Sequence, residues 1–432
     1  MNYNETIEYL YRALPMFSRV GDAAIKKDLT NTRILCGRLD DPQQKFKTIH
    51  VAGTNGKGSV SHMLAAVLQQ SGYITGLYTS PHLHDFRERI KVNGEMVSKQ
   101  FVVDFTECVQ SWINEIQPSF FETTVAMAFE YFAEMRVDVA VIETGLGGRL
   151  DSTNIILPEL SVITNIGMDH MHILGDSLPK IAAEKAGIIK DRVPVVIGET
   201  REETMPVFVQ AAKEKAAPLY AADRERYADA YRYKEHTLEV TVVRSSDNEK
   251  QVIPLDLTGL YQAKNLLTVL SAVDCLREKG WIIPEDAMLQ ALHSVKKLTG
   301  LHGRWELIHH APAVVLDVGH NEDGIRQVCM QIEALDYHEL HIIIGMVKDK
   351  AIEPVLQLLP KEANYYFTRA QIPRALPEDH LAIMAAAHGL NGHHYPNVNA
   401  ALKEALDHAT GNDLIVVCGS VFVVGEVDSS QL

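Results

Sequence analysis

Cysteine is scarce and scattered in this chain. Cys36, Cys108, Cys275, Cys329 and Cys418 are the only ones in 432 residues, and no two form a C-x-x-C pair. An odd, unspaced set argues against a disulfide framework and for reduced thiols in the cytoplasm. No apolar run is long enough to cross a bilayer, and the polar, acidic start at residues 1–11 is not expected to be a signal peptide. Positive charge is short: 41 Lys and Arg stand against 56 Asp and Glu, a net charge of −15. That field disfavours nucleic acid and anionic membranes as partners. It does not exclude small anions, which a local cradle and a metal can hold. Repeats and low-complexity tracts are lacking too. What is present is ordinary globular composition, 46% hydrophobic and 22% charged. The chain is too long for one core, so two or three domains are expected.

The stretch Ile49–His50–Val51–Ala52–Gly53–Thr54–Asn55–Gly56–Lys57–Gly58–Ser59–Val60 organises the rest. It begins as an apolar strand, turns through glycines and opens a helix read as amphipathic, with Val60, Leu64, Val67 and Leu68 among its apolar positions. A strand, a glycine-rich turn and a helix N-terminus make a phosphate cradle, because free N–H groups and the helix dipole both favour an anion there. Gly53, Gly56 and Gly58 let the backbone approach closely. Lys57 can supply a point charge to the β/γ-phosphates, and the Ser59 hydroxyl can reach a magnesium ion. The stretch departs from the common P-loop: Val51 stands five residues before Gly56, and Gly58 separates Lys57 from Ser59. A plain glycine turn between strand and helix is the bland alternative.

In chain order, residues 6–24 read as one or two short helices and 26–47 as irregular. Strands are predicted at 75–78, 137–142, 160–164 and 193–197, alternating with helices at 101–116, 124–135, 178–189 and 202–216. Residues 231–243 and 251–257 read as a hairpin across a polar turn. Two more helices follow, near 262–279 and 284–294. The pattern breaks at Lys296–Arg304, where a domain boundary is placed. A second alternating series then runs through strands at 314–316, 341–344, 365–367 and 414–417. The expected fold is α/β: a P-loop-type N-terminal domain (1–298) with a mainly parallel sheet, and a smaller doubly wound α/β C-terminal domain (299–432).

Four polar clusters fall at strand ends or helix starts of the first domain: Lys57/Ser59, Thr79/Ser80, Glu143 and Asp169/His170. In an open parallel sheet such ends converge on one crevice. A hydroxyl, a carboxylate and an imidazole beside a phosphate cradle suit a magnesium-nucleotide site, since magnesium takes few protein ligands. Taken singly, each has a plainer reading. His170 is an unusual magnesium ligand and reads equally as a hydrogen-bonded structural residue, Glu143 as a helix cap, and Lys185 as an exposed helix lysine paired with an acid. Arg87, Arg89 and Lys91 form either a basic patch or a solvated charged strand. In the second domain, Asp317 can accept from ribose hydroxyls, and Arg304 can clamp a phosphate or form a linker salt bridge.

Read together, these clusters resemble the folylpolyglutamate synthase/dihydrofolate synthase family, cousins of the Mur peptidoglycan ligases. The likeness rests on GTNGKGS at Gly53–Ser59, TSPHL at Thr79–Leu83, RERI at Arg87–Ile90, ETGLGGRLDSTN at Glu143–Asn154, EKAGI at Glu184–Ile188 and GRWE at Gly303–Glu306. The resemblance implies that Gly53, Thr54, Asn55, Gly56, Lys57, Gly58 and Ser59 hold the ATP phosphates. It implies that Ser80 and Glu143 bind one magnesium, and Glu143 with His170 a second. Lys185 matches a lysine carbamylated in the family, whose carbamate serves that second metal. Asn265 matches an asparagine near the adenine, Arg304 and Asp317 match nucleotide-binding residues of a Rossmann-like glutamate-ligase domain, and His320 a histidine near the reacting groups. Pro81, His82 and Arg87 fall in the segment implied for the pterin substrate. Two departures stand out: Asp317–Val318–Gly319–His320–Asn321 where the family usually has D-G-A-H-N, and Tyr261–Gln262 where it often has H-Q.

The implied reaction joins L-glutamate to dihydropteroate or a reduced folate. The acceptor carboxylate attacks the γ-phosphate of ATP, and the amine of glutamate then displaces phosphate from the acyl phosphate. Domain closure would keep water out. The implied enzyme is a cytoplasmic monomer acting on small molecules, with no nucleic-acid or membrane partner. Two other readings share the loop: a Mur-type amino-acid ligase, for which 52 residues ahead of Gly53 leave no room for a UDP-binding domain, and a non-catalytic nucleotide switch, which needs no Glu143, His170 and Lys185 together.

Overall fold

The computed structural model describes residues 1–16, 21–24, 26, 28–234 and 236–432. Two compact units emerge: Met1–Asp256 with Gln262–Leu301, and Leu257–Tyr261 with His302–Leu432.

The first unit is built on eight strands: β1 (Lys47–Ala52), β2 (Thr75–Tyr78), β3 (Ile90–Val92), β4 (Glu95–Met96), β5 (Val139–Glu143), β6 (Leu160–Ile163), β7 (Val195–Ile197) and β8 (Leu219–Ala221). Their order is β4-β3-β2-β5-β1-β6-β7-β8. From β2 to β8 they run parallel, and β3 and β4 turn back antiparallel at one edge. The central strands are buried because helices cover them, with the polar Thr48, His50 and Ser161 enclosed among apolar residues; β5 and β6 are buried along their whole length. Helices Lys99–Ile116 and Phe120–Glu134 pack with Tyr78, Ala140 and Ile142, and Leu178–Ala186 and Met205–Glu214 with Ala52, Ile163, Val195 and Ile197. Register matters most for function. Val51 pairs with Glu143 and Ala52 with Ile163. The carboxyl ends of β1, β5 and β6 are therefore level, and the loops at Gly53, Thr144 and Thr164 leave the sheet side by side.

Four sequence expectations need correction. The helix Lys57–Gln70 is not amphipathic: Gly58–Leu68 are all buried, because helices Gln262–Glu278, Glu285–Leu292 and Val295–Thr299 pack on it from outside the sheet. Residues 26–47 contain a helix, Thr30–Arg38; its buried face is Thr32, Leu35 and Cys36, and its N-cap position is Leu29, with Asp28 one residue further out accepting from Thr30 N, so the usual apolar periodicity and cap residue are missing. The stretch 231–243 is two strands. β9 (Arg226–Lys234), β10 (Thr237–Arg244) and β11 (Lys250–Leu255) form a separate antiparallel sheet in the order β11-β10-β9, and the turn near His236 has no Gly, Pro or Asn to mark it. The run 85–92 is no solvated strand, since Arg89 and Lys91 are 8% and 4% exposed. At the N-terminus a helix spans Tyr3–Ala13, capped by Asn2 and Glu5; residues 17–20 of the helical reading lie outside the described residues.

The second unit is a six-stranded sheet: β12 (Glu306–His310), β13 (Ala313–Leu316), β14 (Leu340–Ile344), β15 (Asn364–Phe367), β16 (Gly392–His394) and β17 (Leu414–Cys418), ordered β12-β13-β17-β14-β15-β16. All but β12 are parallel, with helices between them, as in doubly wound sheets. The two edge strands β12 and β16 escape the sequence reading, because their residues are largely solvent-facing and histidine-rich. Among the described residues no helix is long and apolar enough to cross a membrane. All five cysteines are free thiols.

Candidate functional site

The loop after β1 turns at Gly53 (φ +153°) and again at Gly56 (φ +83°), which directly precedes the helix Lys57–Gln70. A Cβ at Gly53 would collide with Thr164 Oγ1, and one at Gly56 with Asn265 Oδ1. Glycine is thus required by neighbours as well as by backbone angle. The loop is held from the β6 side. Thr54 N and Asn55 N donate to the backbone oxygen and Oδ1 of Asn165 at 3.0 and 2.8 Å. Thr54 Oγ1 donates to Gly167 O, and Thr164 Oγ1 to Asn55 O. It is also held from the helix Gln262–Glu278, where Asn265 Nδ2 donates to Gln262 Oε1 at 2.8 Å and Gln262 Nε2 to Ser59 Oγ at 3.2 Å. Seven of the residues singled out in the sequence, Gly53 to Ser59, form a turn and the first residues of the helix that follows, with Asn265 packed against Gly56.

Lys57 Nζ donates to the carbonyls of Gly53 and Thr54 at 3.1 and 3.2 Å. Lys185 reaches the same place from the helix Leu178–Ala186: its Nζ lies 2.8 Å from Gly53 O, and the residue is 3% exposed. The reading of Lys185 as an exposed, acid-paired lysine is therefore wrong. Burial pushes its ammonium down to about 7, with repulsion from Lys57 adding to that and Asp169 and Asp151 opposing it. Glu143, at the end of β5 and 4% exposed, accepts from Ser80 N at 3.1 Å. A carboxylate and a hydroxyl-bearing turn thus meet beside the loop. His170 sits in a left-handed conformation ahead of the short helix Met171–Leu174, with its ring 3.8 Å from the Asp169 carboxylate. Among the described residues no group of three or more His, Cys, Asp and Glu is gathered to hold a metal ion.

The segment from Ser80 to Arg89 is more tightly tied than a charged loop would be. Arg89 Nε donates to His82 Nδ1 at 2.7 Å, so Nε2 of His82 carries the proton and faces Tyr11 Oη at 3.4 Å. Burial, then the Arg89 charge, drives His82 down to about 3. Arg89 itself lies over the Phe120 ring at 5.4 Å. Arg87 forms a bidentate pair with Asp85, which also accepts from Tyr3 Oη at 3.0 Å. Pro81 follows Ser80 at the end of β2 through a cis peptide bond.

In the second unit, Asp317 directly follows β13 and is 4% exposed. Its carboxylate accepts from Tyr261 Oη, Trp305 N and Gly319 N at 2.7, 2.9 and 2.8 Å. Burial raises its pKa against the pull of these donors. Arg304 Nη1 donates to Gly303 O, which also accepts from Val318 N, and His320 Nδ1 donates to Val318 O at 2.9 Å. Arg304, Asp317 and His320 are therefore neighbours in one turn-rich cluster. A Cβ at Gly319 would meet Asp317 Oδ1 at 3.1 Å, so the glycine of the departing D-V-G-H-N motif gives this carboxylate room.

Sequence reasoning missed Asn165's grip on the loop, Gln262's bond to Ser59 and the network on Asp151. Asp151 is buried and accepts from Leu146 N, Thr153 N and Thr153 Oγ1. Its only sequence signal was membership of a motif. Thr153 Oγ1 spends its proton on Asp151, so His50 Nε2, 2.8 Å away, must donate to it. His50 is fully buried, and burial holds its pKa down near about 3.

Two family models match the chain: the Mur ligase middle domain over residues 51–273 and the Mur ligase, glutamate ligase domain over residues 303–421. The dihydrofolate synthase/folylpolyglutamate synthase of Bacillus subtilis is 32% identical over 416 residues, 93% of this chain and 94% of that protein. A probable bifunctional folylpolyglutamate synthase/dihydropteroate synthase of Haloferax volcanii is 32% identical over 99% of this chain, which spans 50% of its length. The structure of Escherichia coli FolC in complex with DHPP and ADP superposes with a TM-score of 0.84 at 28% identity, covering 98% of this chain and 96% of that one. With the loop, its lysines and the Glu143 turn in place and the likeness running from end to end, the chain belongs to the folylpolyglutamate synthase/dihydrofolate synthase family of Mur-type ligases.

Proposed function

We infer that this protein is an ATP-dependent ligase that joins L-glutamate to dihydropteroate, to reduced folates, or to both. The observation that carries the reading is the convergence of Lys57 and Lys185 on the Gly53 carbonyl, beside the Glu143–Ser80 pair. A phosphate-binding turn alone would serve a nucleotide switch. The buried lysine and the adjoining carboxylate are what a transfer reaction needs besides.

In the proposed reaction the acceptor carboxylate attacks the γ-phosphorus of ATP and ADP leaves. Lys57 and the N–H groups of the loop offset the charge that shifts onto the phosphate oxygens. The glutamate amine then attacks the acyl carbon, phosphate leaves with the bond pair, and the amine gives up its proton as the amide forms. Ser80, Glu143 and His170 are the proposed holders of magnesium. The donors beside the loop are hard oxygens with one imidazole, few in number, and so suit an ion that keeps waters and phosphate oxygens in its shell. Magnesium would add positive charge at the phosphates. A carbamate on Lys185 would supply a further oxygen donor there, and the low basicity of that amine supports this modification. Asn265 is assigned to the adenine side; Arg304 and Asp317 to the nucleotide and His320 to the reacting groups. Pro81, His82 and Arg87 are assigned to the pterin substrate. The small-molecule chemistry and free thiols fit a cytoplasmic enzyme.

Steady-state kinetics at saturating ATP and glutamate decide the acceptor. We expect turnover with both dihydropteroate and tetrahydrofolate, because both present a carboxylate to the same chemistry. Turnover with only one reduces the enzyme to a single function, and phosphate release independent of glutamate would overturn the ligase reading.

A further inference from the structure

We propose that Glu199 is a positioning residue for nucleotide binding, acting through Asn165 on the backbone of the phosphate loop. The inference rests on Gly53–Ser59 being the phosphate site.

Asn165 meets the loop twice, through its backbone oxygen to Thr54 N at 3.0 Å and through Oδ1 to Asn55 N at 2.8 Å. The second contact depends on which way the side-chain amide faces. One end of an amide accepts and the other donates, so a flip would set Asn165 Nδ2 against the Asn55 N–H, donor to donor. Glu199 decides the orientation. Its Oε1 lies 3.3 Å from Asn165 Nδ2. An ionised carboxylate can only accept, so it fixes the nitrogen end towards itself and the oxygen end towards the loop. Glu199 is in turn held at both its ends. Its Oε2 accepts from Lys264 Nζ at 2.8 Å, and its backbone N–H donates to Thr164 O at 3.0 Å. Thr164 also closes on the loop through Oγ1 to Asn55 O at 2.5 Å.

The arrangement has a second arm. Lys264 immediately precedes Asn265, whose Oδ1 lies against Gly56. One helix start therefore reaches the loop by two routes: directly at Gly56 through Asn265, and at Asn55 through the Lys264–Glu199–Asn165 chain. Neither Glu199 nor Lys264 needs to touch the nucleotide for the loop to lose its set geometry when the chain is cut. Removing the carboxylate leaves the Asn165 amide free to turn and the loop N–H groups misaligned, a loss on the scale of one hydrogen bond to an anion.

Calorimetric titration with ADP at fixed magnesium tests this, alongside kinetics. Glu199→Ala should weaken ADP binding about tenfold and raise the KM for ATP to match. kcat at saturating ATP and the KM for glutamate should stay within about twofold of the parent. Glu199→Gln combined with Lys264→Met should restore ADP binding to within about threefold, because with the competing Lys264 donor gone the amide oxygen is free to accept from Asn165. ADP binding unchanged in Glu199→Ala overturns the proposal. So does the Glu199→Gln/Lys264→Met protein as weak as the alanine variant, which would make charge and not orientation the cause. So does an equal rise in both KM values with a lowered Tm, the mark of a merely structural role. If Glu199→Ala does not fold, Glu199→Met, which keeps the length and removes the acceptor, takes its place with the same expected and overturning results. A parent protein that fails to bind ADP overturns the phosphate reading of the loop, and this inference with it.

Discussion

Lys57 and Lys185 donate to one and the same oxygen, the carbonyl of Gly53, from 3.1 and 2.8 Å. Two ammonium groups sharing one acceptor repel each other, and Lys185, the fully buried one, is the one that gives up its proton more readily. Its titration should follow. Lysine labelled with carbon-13 at Cε should show a resonance that titrates near pH 7 and disappears in Lys185→Met. In Lys57→Met that midpoint should rise, because a neighbouring positive charge has gone.

A carbamate forms on a neutral amine, so the modification proposed for Lys185 needs the lowered pKa that burial gives this lysine. Carbon-13 NMR after addition of labelled bicarbonate should give a carbamate signal in the parent protein with magnesium, and none in Lys185→Met. Identical spectra from the two proteins would exclude the modification.

Lys57 bonds to two loop carbonyls and packs no core. Lys57→Ala should leave the Tm nearly unchanged while activity falls about a thousandfold, the scale of a cation that meets a transferring phosphoryl group. A large drop in Tm with activity kept would assign Lys57 to folding instead.

Gly56 and Gly72 both have positive φ, +83° and +93°, but only Gly56 has a neighbour, Asn265, where a Cβ would go. Alanine at either position costs about 1–2 kcal/mol of backbone strain. Gly56→Ala should also abolish ADP binding, whereas Gly72→Ala should lower the Tm and leave binding intact. Thermal melts with ADP titrations separate the two effects.

His50 is held neutral by burial, with its Nε2 proton committed to Thr153. Its folded pKa lies below the unfolded value of 6.5, so the unfolded chain takes up a proton that the folded chain refuses. The parent should therefore lose stability as pH falls from about 6.5 towards 3, and be unaffected by this group above that range. Urea unfolding at pH 7 and pH 5 should show a smaller loss in His50→Gln than in the parent.

How far the sequence was legible depended on how local each feature is. The proposed phosphate loop is local: its glycines, Lys57 and Ser59 lie within seven residues, and the strand and helix around them are regular. Ser80 and Glu143 stood out because each lies at or just past the end of a buried strand whose apolar run is plain. Lys185 was legible only through the family resemblance, since composition cannot tell a buried lysine from an exposed one. What buries it is the close packing of Gly148 against the Lys185 backbone and the reach of its Nζ to a loop 132 residues earlier in the chain. Arg89 and Lys91 misled for the same reason. Their charges are answered by His82, by the Phe120 ring and by the carbonyls of Thr299 and Gly300, none of them neighbours in sequence. The turn near His236 was missed because no residue in it marks a turn, and Thr30–Arg38 because its buried face carries a threonine.

The five residues Leu257–Tyr261 belong to the second unit although the chain on both sides of them belongs to the first. Tyr261 caps the Asp317 carboxylate, and Leu260 N donates to Gln331 Oε1 at 2.6 Å. The smaller unit thus cannot be excised at a single peptide bond. A fragment begun at His302 would strip a buried acid of its phenolic donor and leave Gln331, which is fully buried, without that backbone partner. Anyone transplanting or swapping this module between relatives would have to bring the pentapeptide along, as a graft in two pieces.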